Sequence, residues 1–163
     1  MAKSFIGIDL GTTFSAVATL DDIGRPKIVH NRTGANITPS VITFREDGVA
    51  EVGEEARRSL CVDPNTVGRF KREMGTEKTY QARGKTFTPT ELSTFVLSKL
   101  KKDAEAALGE LGQAVVTIPA NFSHEARDAT MAAARNAGLD VAFIINEPTA
   151  AALYYAFSSG KEI

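Results

Sequence analysis

The chain has 163 residues, of which 43% are hydrophobic and 24% charged, a composition typical of a folded protein with one ordinary core. Its net charge of -1 gives no electrostatic reason to expect nucleic acid or an anionic membrane as a partner. The single cysteine, Cys61, excludes an internal disulfide, and no apolar run reaches the roughly 20 residues of a membrane span. No secretory signal is recognisable, so we expect a cytoplasmic protein.

The first predicted elements are two strands joined by a tight turn. Apolar runs flank Gly11-Thr12-Thr13, a pattern typical of a β-hairpin. The backbone N–H groups of Thr12 and Thr13 can line a concave anion site, and Asp9 can bind a metal ion or its waters. The turn therefore predicts a cradle for phosphate and magnesium, although a plain hairpin with a glycine turn has the same pattern.

The middle of the chain changes in character after a third predicted strand at 27–31. Turn-forming residues at 45–48 separate two short apolar runs, and Gly84 interrupts the polar stretch at 76–86. The elements predicted here are strands at 40–44 and 49–52, a helix at 54–60, a second helical stretch from 63 to 74, and a short hairpin or loop at 76–86.

The strongest helix signal is Thr88-Pro89-Thr90-Glu91, a capping box with proline at the first helical position. Apolar residues then recur on one helical face until Gly109 ends the helix. The remaining predicted elements are strands at 113–118 and 140–145 and helices at 124–137 and 149–157. This alternation predicts two parallel strands joined by a right-handed crossover.

Charged residues near predicted strand ends are candidates for chemistry. Glu147, at a strand-to-helix junction, can orient an attacking water or hold a water on magnesium, or it can simply cap the helix. Lys71 can neutralise charge on a transferring phosphoryl group, although a Lys-Arg pair such as Lys71-Arg72 is more often a solvated helix face. Pro119 can end a strand, and Arg127 can be an ordinary surface residue. Alternatively, the two residues can transmit the nucleotide state of the cleft to a partner domain.

Four motifs together resemble the seventy-kilodalton heat-shock chaperone family across essentially the whole chain. They are Gly7-Ile8-Asp9-Leu10-Gly11-Thr12-Thr13, Phe70-Lys71-Arg72, Val116-Thr117-Ile118-Pro119-Ala120-Asn121-Phe122 and Ile145-Asn146-Glu147-Pro148-Thr149-Ala150-Ala151-Ala152-Leu153. The first is shared with actins and sugar kinases, and the last distinguishes the chaperones from both.

The resemblance implies an α/β fold, the half-domain of the actin-like, ribonuclease-H-like ATPases. In that fold a mixed sheet combines a meander with a crossover. Residues 1–36 and 113–163 would form the core subdomain, the first lobe of a nucleotide-binding domain. Residues 37–112 would form an inserted α+β subdomain.

The resemblance also implies a nucleotide site. Gly11, Thr12 and Thr13 would bind the phosphates of ATP or ADP. Asp9 and Glu147 would each reach Mg²⁺ through water. Phe14 departs from many family members, which have a small polar residue beside this turn.

Catalytic and signalling roles follow from the same resemblance. Lys71, Glu147 and Thr13 would be catalytic residues for ATP hydrolysis. Pro119 and Arg127 would form an interdomain switch.

In this family the nucleotide cycle controls the binding of unfolded peptides during the stress response, with co-chaperones as partners. By the same resemblance the chain would correspond to the first lobe alone, so we expect it to be inactive by itself. Two alternatives remain: a sugar or small-molecule kinase of the same superfamily, and a non-catalytic interaction lobe.

Overall fold

The larger sheet has six strands in a computed structural model that describes residues 3–119 and 121–146. Its strands are β1 (Ser4–Asp9), β2 (Phe14–Leu20), β3 (Pro26–Val29), β4 (Thr38–Pro39), β10 (Leu111–Ile118) and β11 (Asp140–Asn146). The order is β11-β10-β1-β2-β3, and β4 pairs with β2. The β1–β2–β3 meander is antiparallel, and β10 pairs in parallel with both β1 and β11. The predicted meander and parallel crossover are therefore confirmed.

The middle of the chain forms smaller sheets and short helices. Their bounds are β5 (Val41–Phe44), β6 (Ala50–Val52), α1 (Glu54–Arg58), β7 (Thr66–Gly68), a 3-10 helix (Phe70–Glu73), β8 (Tyr80–Ala82) and β9 (Lys85–Phe87). The sheet β6-β5-β7 is antiparallel, and β8 and β9 form a separate hairpin.

The predicted helical stretch from 63 to 74 is wrong. Residues 66–68 form β7, where Val67 pairs with Ile42 of β5. Arg69 then has φ 58°, a left-handed conformation, and only the single 3-10 helix follows. The β-branched Thr66 and Val67 gain more from pairing and burial in a sheet than from a helix, which local sequence pattern does not reveal.

Two longer helices cover one face of the six-stranded sheet. They are α2 (Pro89–Leu108) and α3 (His124–Asn136). The predicted capping box begins α2: the Thr88 hydroxyl accepts from the Glu91 N–H at 3.1 Å, and the Glu91 carboxylate accepts from the Thr88 N–H at 3.0 Å. At α3 the Ser123 hydroxyl accepts from the Ala126 N–H at 3.0 Å. Both helix starts are therefore determined by local side-chain hydrogen bonds.

A single apolar core joins these layers. Alternate side chains of the sheet, such as Ile6 and Ile8, belong to the same buried cluster as Leu97 of α2 and Ala133 of α3. Helix α2 also packs against β5 and β6 of the smaller sheet. It therefore ties the middle of the chain to the strands on which the predicted site lies.

Two predicted features lie outside the described residues: Glu147 and the helix at 149–157. Among the helices that the structure does describe, none combines the length and apolar character needed to cross a lipid bilayer.

Candidate functional site

The turn between β1 and β2 leaves no space for a side chain at Gly11. A Cβ atom there would lie 1.9 Å from the carbonyl oxygen of Phe14, far closer than atoms approach in proteins. The Gly11 N–H donates to the Ser15 hydroxyl at 3.2 Å, which closes the turn. Thr12 and Thr13 lie between these residues, Thr12 half-buried and Thr13 exposed. The chain thus makes a tight turn with two hydroxyl residues at its tip.

Asp9 occupies the carboxyl end of β1, beside the carboxyl end of β10. Asp9 and Thr117 are partners in the parallel register, and the Thr117 hydroxyl donates to Asp9 Oδ1 at 3.2 Å. Ligands of open α/β sheets bind at this edge. Asp9 is exposed, and carboxylate oxygens are the ligands that Mg²⁺ prefers, so its position fits a water-mediated magnesium contact. Sequence reasoning did not find Thr117, whose only signal was a hydroxyl residue near the end of a predicted strand.

Lys71 lies in the 3-10 helix and is buried, with only 6% of its surface exposed. Its Nζ lies 5.6 Å from the centroid of the Phe122 ring, within the range of a cation–π contact. The neighbouring Arg72 is exposed. The solvated-face alternative that the sequence left open therefore applies to Arg72 and not to Lys71.

The loop after Lys71 is held tightly against α3. Gly75 has φ +79°, and a Cβ on it would lie 2.5 Å from the backbone nitrogen of Ala126. Met74 is buried, and its sulfur accepts a hydrogen bond from the Ser93 hydroxyl of α2 at 3.4 Å. Two separate contacts thus position the segment that carries Lys71.

These segments meet at one open groove of about 440 Å³. We define the groove by its described lining residues, which come from the turn, from the segment around Lys71, and from the connection between β10 and α3 with the first turn of that helix: Thr12, Lys71, Arg72, Met74, Thr76, Pro119, Asn121, Phe122, Ser123 and Ala126. Three predicted site residues, Thr12, Lys71 and Pro119, are thereby brought to one surface although they are distant in sequence. Asn121 and Phe122 also line it. The sequence placed both in the motif that contains Pro119, but it did not predict that they bind nucleotide or metal.

Arg127 does not line the described part of the groove. It is exposed, and its guanidinium donates to the Ile144 carbonyl oxygen of β11 at 3.2 Å. Pro119 lies on the groove, and Arg127 lies on the first turn of α3. The two residues of the predicted switch pair therefore lie in different places, Pro119 at the groove and Arg127 beside β11.

Comparison with known proteins identifies the family of the chain. The sequence model of the family described as Hsp70 protein matches residues 5–83 and 76–162. The chain is 48% identical over 164 residues to the chaperone protein DnaK of Thermotoga neapolitana, an alignment that covers 98% of this chain and 28% of that protein. The chain thus spans between a quarter and a third of the length of this relative. It is a member of the Hsp70 protein family, with an actin-like ATPase fold built on the mixed sheet described above.

Proposed function

We propose that this chain supplies one wall of the ATP site of an Hsp70-type chaperone. The observation that carries the proposal is the groove, where the turn at Thr12, the buried Lys71 and Pro119 meet. In the whole protein, ATP hydrolysis to ADP and phosphate would drive cycles of binding and release of unfolded peptides, with co-chaperones as further partners. The chaperone name of the DnaK relative supports this reading.

The turn is the proposed phosphate site. Backbone N–H groups and hydroxyls at Gly11, Thr12 and Thr13 would donate to phosphate oxygens, and the absence of a side chain at Gly11 allows the tight turn. Asp9 would hold a water of Mg²⁺, and Glu147 would do the same from the segment that follows β11. The metal, when bound, offsets negative charge on the phosphates.

Lys71 is the proposed catalytic cation. Its amine lies within a largely buried setting, where a charge acts more strongly than in water because the surroundings are less polarisable. There it would stabilise the charge that develops on the transferring phosphoryl group. Thr13 and Glu147 would orient the attacking water.

We further propose two subdomains, residues 1–36 with 113–163 and residues 37–112. Lys71 would then belong to one of them, and Thr12 and Pro119 to the other. Pro119 and Arg127 would relay the state of the groove to β11, because Arg127 is hydrogen-bonded to that strand. Cytoplasmic location and a role in the stress response complete the proposal.

The test is a titration of the isotope-labelled chain with MgADP and MgATP, followed by amide NMR. We expect shifts concentrated at Gly11, Thr12, Thr13 and Lys71, with a Kd of about 1 mM or weaker because an open groove contacts only one side of the ligand. Lys71→Ala should weaken MgATP binding, whereas the matched control Lys102→Ala, on the exposed face of α2, should not.

Three results would contradict the proposal. The first is the absence of shifts at the turn up to about 10 mM nucleotide, a concentration well above the expected Kd. The second is equal binding by the Lys71 and Lys102 variants. The third is nucleotide-dependent phosphorylation of added sugars, which would instead support a sugar kinase.

A further inference from the structure

We propose that Ser40 is a positioning residue for the turn at 11–13 and that it acts through Ser15. The inference deepens the proposed function, because it rests on the phosphate-binding role of that turn. Neither serine is among the described residues that line the groove. We therefore infer that Ser40 affects a ligand through the turn, to which its hydroxyl and its N–H are hydrogen-bonded.

Both ends of the turn are attached to this pair of serines. The Gly11 N–H donates to Ser15 Oγ at 3.2 Å. The Thr13 carbonyl oxygen accepts from the Ser40 N–H at 2.9 Å. Ser15 Oγ and Ser40 Oγ lie 2.8 Å apart and share a hydrogen bond that either hydroxyl can donate. The residues on both sides of Thr12, Gly11 and Thr13, are thus held by hydrogen bonds to the two serines.

Burial makes this hydroxyl pair difficult to replace. Ser15 is 1% exposed and Ser40 is 2% exposed, so water has little access to either oxygen. A hydroxyl has one proton and two lone pairs. The bond to Ser40 therefore restricts rotation of the Ser15 hydroxyl and keeps a lone pair directed at the Gly11 N–H. Without it, the Ser15 hydroxyl would be left underpaired in a buried position.

Ser40 also links the turn to a different part of the fold. It lies between β4, which pairs with β2, and β5, which belongs to the smaller sheet. Its N–H and its hydroxyl both bond to the hairpin that carries the turn. A residue at the junction of the two sheets therefore sets the conformation of the turn.

The conformation of the turn determines how well its N–H groups can bind phosphate. Phosphate oxygens are bound by N–H groups that point to one place, so a small rotation at Gly11 or Thr13 reduces the number of useful donors. Ser40→Ala removes only the hydroxyl and leaves the Ser40 N–H bond to Thr13 intact. That variant isolates the contribution of the hydroxyl pair.

The experiment measures amide hydrogen exchange of Gly11 in the full chain without ligand, and then MgADP binding by amide shifts at Thr12 and Thr13. Ser40→Ala should accelerate Gly11 exchange about tenfold and weaken MgADP binding about three- to tenfold, as expected for one lost buried hydrogen bond. In a Ser15→Ala background, Ser40→Ala should change Gly11 exchange and MgADP binding by less than about twofold. In that background the hydrogen bonds from Ser40 to Ser15 and from Gly11 to Ser15 are already lost.

Thr19→Val is the matched control. Thr19 is a buried hydroxyl residue at the far end of the same hairpin, where it donates to the Phe5 carbonyl oxygen at 2.7 Å. Its loss should leave Gly11 exchange and MgADP binding unchanged. If Ser40→Ala does not fold, as judged by circular dichroism, Ser40→Cys retains a weak hydrogen-bonding group and should give an intermediate Gly11 exchange rate.

The proposal is overturned if Ser40→Ala leaves Gly11 exchange unchanged, or if its effect is equal in the wild-type and Ser15→Ala backgrounds. A wild-type chain that shows no MgADP shifts at Thr12 and Thr13 would instead refute the proposed function. The two failures are distinguishable because the exchange measurement needs no ligand.

Discussion

Replacement of Gly11 by alanine is expected to damage both the stability of the chain and its phosphate turn. The added Cβ would lie 1.9 Å from the Phe14 carbonyl oxygen, so one of the two must move by about 1.5 Å to reach the 3.4 Å of an ordinary contact. Both groups are backbone or attached directly to it, and neither can rotate away. Overpacking of this kind costs about 1–3 kcal/mol, and loss of the Gly11–Ser15 hydrogen bond adds about 1 kcal/mol.

Gly7 offers a matched control in β1, the strand that precedes the turn. A Cβ on Gly7 would meet no described atom within 4 Å, so the same substitution adds only a methyl group to an open position. Gly7→Ala should leave stability unchanged or raise it by up to about 1 kcal/mol, because alanine loses less backbone entropy on folding.

Thermal unfolding followed by circular dichroism measures the difference. In a chain of this size each 1 kcal/mol shifts Tm by about 2–4 °C, so Gly11→Ala should lower Tm by roughly 5–15 °C. MgADP-induced shifts at Thr12 and Thr13 should disappear in the same variant. Equal Tm values for Gly11→Ala and the wild type, or an equal loss in Gly7→Ala, would refute the steric argument.

Two further predictions concern a second glycine and an aspartate. Gly75→Ala should lower Tm more than Gly48→Ala, because both glycines have left-handed φ values but only Gly75 would bring a Cβ within 2.5 Å of a backbone atom of α3; equal losses would show that backbone strain alone matters. The N–H of Arg25 donates to the Asp21 carboxylate and holds its pKa below the usual 3.8. Asp21 therefore stabilises the fold above that pH, and this contribution is lost as pH falls through the lowered pKa. Acid unfolding should then be steeper in the wild type than in Asp21→Asn, and parallel curves would contradict the assignment.

Local sequence signals predicted those elements whose ends are set by neighbouring residues. The start of α2 was predictable because Thr88 and Glu91 form their hydrogen bonds within one turn of helix. The first hairpin was predictable for a similar reason, since a glycine turn separates two apolar runs. The parallel crossover followed from element order, because parallel strands require a long connection between them.

The segment before Lys71 was predicted wrongly because its structure depends on residues distant in the chain. Its sequence contains residues compatible with a helix, yet β7 forms because Val67 pairs with Ile42, a residue 25 positions earlier in the chain. Lys71 is buried beside other distant residues, since its amine lies over the Phe122 ring and its 3-10 helix contacts α2. No local pattern carries that information.

The sequence by itself determined the family, the α/β class and the residue types of the candidate site, since these reside in short motifs and in their order. Tertiary structure alone decided that Thr12, Lys71 and Pro119 line one groove, that Lys71 is buried, and that the Gly11 turn is attached to Ser15 and Ser40. The physical reason is that a motif is a run of residues close together in the chain, so its residue types can be read without knowing the fold. Convergence and burial depend instead on how α2, α3 and the two sheets pack around one core.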